Sequence, residues 1–191
     1  MASDDAVRWN ERYRACSQYH TKTARRLLKD HIHLLPATGV ALDIALGLGH
    51  DSCLLAQHGL TVYGVDIAFE ALSKVKIRCP DLRLILADLE EFPLSLFQPD
   101  VIINFYYFQP NLLPILIRSL KPGGYFLFET FTKPMLEVKP ELNPAHLVEP
   151  DQLIYFFADL DIIFLHDGWD ETNPEKARYS FQIVGRKKGI T

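Results

Sequence analysis

The chain has 191 residues, is 48% hydrophobic, and carries a net charge of -4 with a pI near 6.0. That balance excludes the basic patch or stripe of a nucleic-acid-binding domain and favours small or neutral partners. The acidic, polar start lacks the layout of a secretory signal. No apolar run reaches the ~20 residues needed to span a bilayer. The expectation is one cytoplasmic domain with a single sizeable core. Three cysteines, Cys16, Cys53 and Cys79, lack metal-ligand spacing and fit a reducing cytoplasm with buried or incidental thiols.

Residues 1–36 read as an N-terminal helical cap: a helix from Ser3 to about Arg14 carrying Trp9, Arg12 and Tyr13, then one from near Ser17 to Leu35, ended by Pro36. Strand one is Val40 to Leu46, followed by a helix from about Asp51 to His58 and by Gly59 at a helix C-terminal position. Strand two, Leu60 to Asp66, leads into a helix from Phe69 to Arg78, and strand three, Leu82 to Ala87, is a continuous apolar run of the kind buried on both faces. Strand four is Val101 to Asn104, the next helix about Leu112 to Leu120, and strand five Tyr125 to Phe131 beyond the LKPGG turn. Alternating strands and helices predict an α/β fold with a doubly wound, mainly parallel seven-stranded sheet. The proline-bearing segment 132–149 is expected to be an active-site loop, and Pro150 to open a helix through Ala158. The last strands, Asp161 to His166 and Arg178 to Arg186, have no helix between them, so they pair antiparallel or lie apart.

In open parallel sheets a ligand sits beyond the carboxyl ends of the strands, where their order reverses. Gly47 and Gly49 fall there, letting the backbone approach a ligand closely while a helix N-terminus favours a negative group. Asp66, Asp88 and Asn104 end three consecutive apolar strands and converge on the same crevice.

The segments ALDIALGLG, VYGVDIA, LADLEEFPL, DVIINFYYF and LKPGGYFLFETF resemble the successive motifs of class I S-adenosylmethionine-dependent methyltransferases. WNERYR and the NP…L-x-E-P-x-x-L pattern at Asn143 to Leu153 resemble the small branch that includes tellurite-resistance and thiopurine methyltransferases. The resemblance implies S-adenosylmethionine as cofactor, with Asp43 organising the loop around Ala45, Gly47 and Gly49. It implies that Asp66 holds the ribose, Ile67 and the Leu89 backbone flank the adenine, Asp88 accepts from the adenine amino group, and Asn104 and Phe105 lie beside the methionine part. The chain departs from the family pattern where Ala45 replaces a glycine and Leu46 a smaller residue.

Methyl transfer to a small-molecule acceptor needs an in-line approach in a dry site more than covalent help. The rings of Phe105, Tyr106, Tyr107 and Phe108 form a candidate wall, suited to a cationic centre, or are core. Glu129, a carboxylate inside an apolar strand, is the first candidate for a general base; Tyr106 is a further catalytic candidate, and His146, Glu149, Tyr13 and His20 are lesser candidates for the base. Trp9, Arg12 and Tyr13 either close over the cofactor or dock a helix. His166, Asp167, Asp170 and Glu171 lack a metal-site pattern, so no metal is expected, and the terminal RKK reads as solubilising. Two rivals remain open: a non-catalytic binding protein, and a nicotinamide-dependent oxidoreductase. Against the latter, Ser52 stands where a dinucleotide turn wants its third glycine.

Overall fold

The computed structural model describes residues 2–16, 23–93, 97–144, 147–170 and 178–189. Seven strands, β1 (Val40–Ile44), β2 (Thr61–Asp66), β3 (Arg83–Leu86), β4 (Val101–Phe105), β5 (Tyr125–Phe131), β6 (Leu160–Trp169) and β7 (Tyr179–Lys187), form one sheet. Their order is β3-β2-β1-β4-β5-β7-β6. The first five pair in parallel, whereas β7 runs antiparallel between β5 and β6. The chain winds outward from β1 to β3 and returns beside β1 as β4, so the order reverses between β1 and β4.

The helices are α1 (Ala2–Ala15), α2 (Arg26–His31), α3 (His50–His58), α4 (Phe69–Arg78), α5 (Leu113–Ser119) and α6 (Pro150–Leu153). Side chains alternate across each strand, which builds two apolar layers from one sheet. Leu42, Ile44, Ile102, Phe126 and Phe128 meet Leu113, Leu116 and Phe157 on one face. Ala41, Val62, Ile103 and Leu127 meet Leu28, Leu55 and Val75 on the other. Phe126, Phe128 and Phe157 are wholly buried and their rings lie 5.4–6.2 Å apart. Truncating any of them to alanine costs about 3–5 kcal/mol. Among the described residues no helix is long and apolar enough to cross a membrane.

Four sequence expectations change. The second helix begins only at Arg26, because Arg25 is extended (φ -64°, ψ 149°) and its N–H is donated to the Asp51 carboxylate, 2.7 Å away; residues 17–22 lie outside the described residues. β1 ends at Ile44, since Ala45 turns left-handed (φ 54°). β3 is an edge strand, with β2 as its one neighbour, and Arg83 and Leu86 are exposed, so it is not buried on both faces. Cys53 and Cys79 form a disulfide with a Cα–Cα distance of 6.1 Å, because the C-terminal end of α4 and the first turn of α3 share one apolar layer on the same face of the sheet; Cys16 remains free.

The loop after β5 is anchored rather than loose. A 3-10 turn at Lys133–Glu137 buries Met135 completely, and Thr132 bridges to Val148. Pro150 opens α6 as expected, but the helix tightens into a 3-10 turn at Ile154–Phe157.

Candidate active site

Beyond Ile44 the backbone enters the left-handed region at Ala45 (φ 54°), Gly47 (φ 53°) and Gly49 (φ 62°). A Cβ in that region costs roughly 1–2 kcal/mol. At Gly47 a Cβ would also stand 2.8 Å from the Tyr13 hydroxyl, and at Gly49 it would stand 2.9 Å from both Val75 methyls. Glycine is required at both positions for space as well as for φ. Ala45 has the space and carries the strain. Leu46 is a core residue, 7% exposed; its N–H donates to the Val65 carbonyl, and its side chain fills the room left by Gly64.

Two buried carboxylates fix this turn. Asp43 is 3% exposed and accepts a 2.6 Å hydrogen bond from the Ser52 hydroxyl, tying β1 to α3. Burial, then the nearby Asp51, holds its pKa well above the usual aspartate value. Asp66 accepts from the Gly47 N–H on one oxygen and from the Ala68 N–H on the other, both at 2.8 Å. Burial raises its pKa against the pull of these donors. Asp66 therefore clamps the glycine turn to the end of β2, with lone pairs to spare on each oxygen.

The neighbouring strand ends complete the crevice. Asp88 is half-buried and accepts from the Glu90 N–H at 2.9 Å; Leu89 is buried and Ile67 half-buried. Asn104, fully buried at the end of β4, has no hydrogen-bond partner on either its amide nitrogen or its oxygen. Phe105 behind it is 8% exposed.

Next to Asn104, Tyr106 is also left-handed (φ 61°). Its N–H donates to the Glu129 carbonyl at 2.7 Å, and its hydroxyl donates to the Glu129 carboxylate. The Arg25 guanidinium lies 4.2 Å from the Tyr106 ring centroid, and the Phe131 centroid is 4.4 Å away. Burial raises the Glu129 pKa, while the Tyr106 hydrogen bond and Arg25 oppose the rise. Burial and the Glu129 charge raise the Tyr106 pKa, so the phenol keeps its proton. Tyr107 and Phe108 pack against the core instead.

α1 docks over the turn through polar contacts. The Asn10 side chain accepts from the Glu70 N–H at 2.8 Å, Arg14 pairs with Glu70 at 2.8 Å, and Lys74 donates to the Tyr13 carbonyl. These contacts place the Tyr13 hydroxyl above Gly47. Trp9 is half-buried, stacked on Tyr13 at 5.6 Å and covered by Arg12 at 4.9 Å. Glu149 pairs with Lys133 at 2.8 Å, at the far end of the loop. His166 and Asp167 lie in β6 opposite Gln182 and Phe181, and no metal-holding cluster forms among the described residues. The terminal cations have structural work: Arg186 donates to the Gly123 carbonyl, Lys187 to those of Arg118 and Leu120, and Lys188 to that of Ala158. His20, His146 and Glu171 lie outside the described residues.

Residues 41–124 match the family described as methyltransferase domain. An uncharacterized methyltransferase of Synechocystis is 29% identical over 120 residues, covering 56% of this chain and 57% of that protein. The chain spans about half the length of the curated relatives it matches. In fold it is similar to the N-methyltransferase NodS of Bradyrhizobium japonicum in complex with S-adenosylhomocysteine (TM-score 0.68, 15% identity, covering 95% of this chain and 97% of that one). TehB of Haemophilus influenzae is likewise similar (TM-score 0.70, 17% identity, 90% of this chain and 65% of that one). Residues 41–124 thus match a methyltransferase domain, and the seven-stranded sheet as a whole has the fold of solved methyltransferases. The residues here fit the methyltransferase cofactor, S-adenosylmethionine: an orphaned buried amide at Asn104 and, at Asp66, carboxylate lone pairs left over by the backbone donors stand at the ends of β4 and β2. Sequence reasoning missed Arg25, whose N–H and guanidinium link Asp51 to Tyr106. It also missed the covering of Gly47 by Tyr13. Neither has a local signal, because both depend on how the N-terminal segment lies across the sheet.

Proposed function

We propose that this methyltransferase fold binds S-adenosylmethionine in the crevice at the β1–β4 switch and methylates a small-molecule acceptor. The observation that carries the proposal is Asn104, whose fully buried amide has no partner on either atom. An unsatisfied buried polar group costs about 1–3 kcal/mol, and a polar ligand at the end of β4 removes that cost. Asp66 takes the ribose hydroxyls on its spare lone pairs, Ile67 and Leu89 enclose the adenine, and Asp88 receives its amino group. Asn104 and Phe105 meet the methionine part. Asp43, through Ser52, keeps Ala45, Gly47 and Gly49 in the shape this requires.

The bound cofactor supplies an electrophilic methyl on a positively charged sulfur. The chain's own contribution is position and dryness, since an aligned pair of reactants in a closed site gains several kcal/mol over free solution. Glu129 is the group placed to take a proton from a protic acceptor, and Tyr106 holds its carboxylate in position. Ser52, being buried and engaged with Asp43, counts against a dinucleotide turn at this site.

Titration calorimetry with S-adenosylhomocysteine tests the reading. Saturable binding is expected, weakened by at least ~10-fold, or about 1.4 kcal/mol, in Asp66→Ala and Asn104→Ala variants of unchanged circular dichroism. A folded protein that releases no heat, or an Asp66→Ala variant that binds like the wild type, defeats it. Binding with no turnover over a broad acceptor panel favours a protein that kept the site and lost the reaction.

A further inference from the structure

Resting on the methyl-transfer reading, we propose that the acceptor carries a carboxylate, anchored by Lys139 and Arg178, while its protic nucleophile faces Glu129. Lys139 stands over the far ring of an aromatic shelf that begins at the candidate base, and Arg178 lies close enough for its charge to act there. Glu129 and Phe131 are two residues apart on β5 and so share a face of the sheet. The Tyr106 ring, bonded to Glu129, lies 4.4 Å from the Phe131 ring. Lys139 follows directly from the 3-10 turn after β5, its N–H donating to the Met135 carbonyl. Its half-buried side chain holds the ammonium 5.6 Å from the Phe131 centroid.

Arg178 stands one residue before β7, its side chain exposed. Gln182 is opposite Glu129 and Ser180 opposite Phe131, so stepping back two residues along the same face leads to Arg178. Its charge acts on both Tyr106 and Glu129. The nearby acids Asp167 and Glu137 act instead on Tyr179, which alternates to the opposite face.

Two neighbouring cations are already paired. Arg25 has Asp51 at 3.9 Å, and Lys133 has Glu149 at 2.8 Å. Lys139 and Arg178 form no ion pair with an acidic side chain among the described residues. A cation resting on an aromatic face gains only about 0.5–1 kcal/mol at an exposed site, whereas an added carboxylate gives it a charge-assisted hydrogen bond, bidentate in the case of arginine. The Glu129 carboxylate repels a second anion from its own end of the shelf. Carboxylate and nucleophile are thereby held apart by about the width of one aromatic ring, and a small aromatic or similarly spaced hydroxy acid matches that separation.

The test uses 4-hydroxybenzoate and its uncharged counterpart 4-hydroxybenzamide as probes, titrated by NMR into the wild type and a Lys139→Gln/Arg178→Gln variant, with and without S-adenosylhomocysteine. The acid is expected to bind at least ~10-fold more tightly than the amide and to lose that advantage in the variant and at high salt. S-adenosylhomocysteine affinity should stay unchanged in the variant. Equal binding of acid and amide, an acid affinity untouched by the double substitution, or no measurable acid binding to a protein that does bind S-adenosylhomocysteine overturns the proposal. Failure to bind S-adenosylhomocysteine at all overturns the underlying reading instead, and is read independently in the same titrations.

Discussion

Replacing Gly47 with alanine asks two things of the fold at once. The residue must hold φ at 53°, which costs a Cβ about 1–2 kcal/mol. The new methyl would also lie 2.8 Å from the Tyr13 hydroxyl and 3.6 Å from the ring carbon bearing it. The second distance is ordinary contact; the first forces Tyr13 to move. Tyr13 is half-buried and its helix is fixed to α4 by Asn10 and Arg14, so that movement adds on the order of 1 kcal/mol. Urea unfolding should therefore show a loss of about 2–3 kcal/mol for Gly47→Ala, seen as a lower midpoint at constant slope. In a Tyr13→Phe background the hydroxyl is gone, and about 1–2 kcal/mol of strain should remain. The double-mutant cycle thus has a coupling near 1 kcal/mol. Ala45→Gly should act in the opposite sense, gaining up to ~1 kcal/mol, because relief of left-handed strain exceeds the entropy that glycine adds to the unfolded chain. A neutral Gly47→Ala, or an equal cost in both backgrounds, refutes this account of the turn.

Asp43 has a folded pKa above its ordinary 3.8, so the native state binds this proton more tightly than the unfolded chain. Stability from this group is full below the unfolded value and is lost as pH rises through the folded one. Asp43→Asn should remove that slope: urea midpoints of wild type and variant, compared from acid to neutral pH, should shift in the variant's favour as pH rises, and parallel profiles rule the idea out. The Cys53–Cys79 disulfide closes a loop with a sequence separation of 26, which the chain-entropy relation values at about 3–4 kcal/mol. Reductant should lower the melting temperature by roughly 6–16 °C, and a Cys79→Ser variant should melt low with or without it. Three free thiols in the untreated protein, with a melting point indifferent to reductant, contradict the prediction.

Periodicity and punctuation carried most of the architecture. β5 and α4 match their expected bounds, since an apolar run between turn residues and an amphipathic run stopped by Pro80 depend on local chemistry alone. The antiparallel end was legible because two strands without a crossover helix have few ways to pair. The edge position of β3 was not: an apolar sequence looks the same at the centre or the rim, and only the returning chain decides. Asp66 and Asn104 were legible as residues at strand ends, but not the hydrogen bonds that clamp one to Gly47 and leave the other without a partner. Glu129 stood out as a carboxylate in an apolar strand, and the tertiary structure supplied the reason in Tyr106 and Arg25.

By itself, then, the sequence determined where strands and helices form, which residues stand at the carboxyl ends of β1, β2 and β4, and which glycines turn the chain there. These follow from side-chain period and backbone sterics, which act over a few residues. Only the tertiary structure decided that Tyr13 covers Gly47, that Cys53 meets Cys79, and that Arg25 lies over Tyr106 and Lys139 over Phe131. Those contacts join segments distant along the chain, and they exist because burying both faces of one sheet draws the segments together.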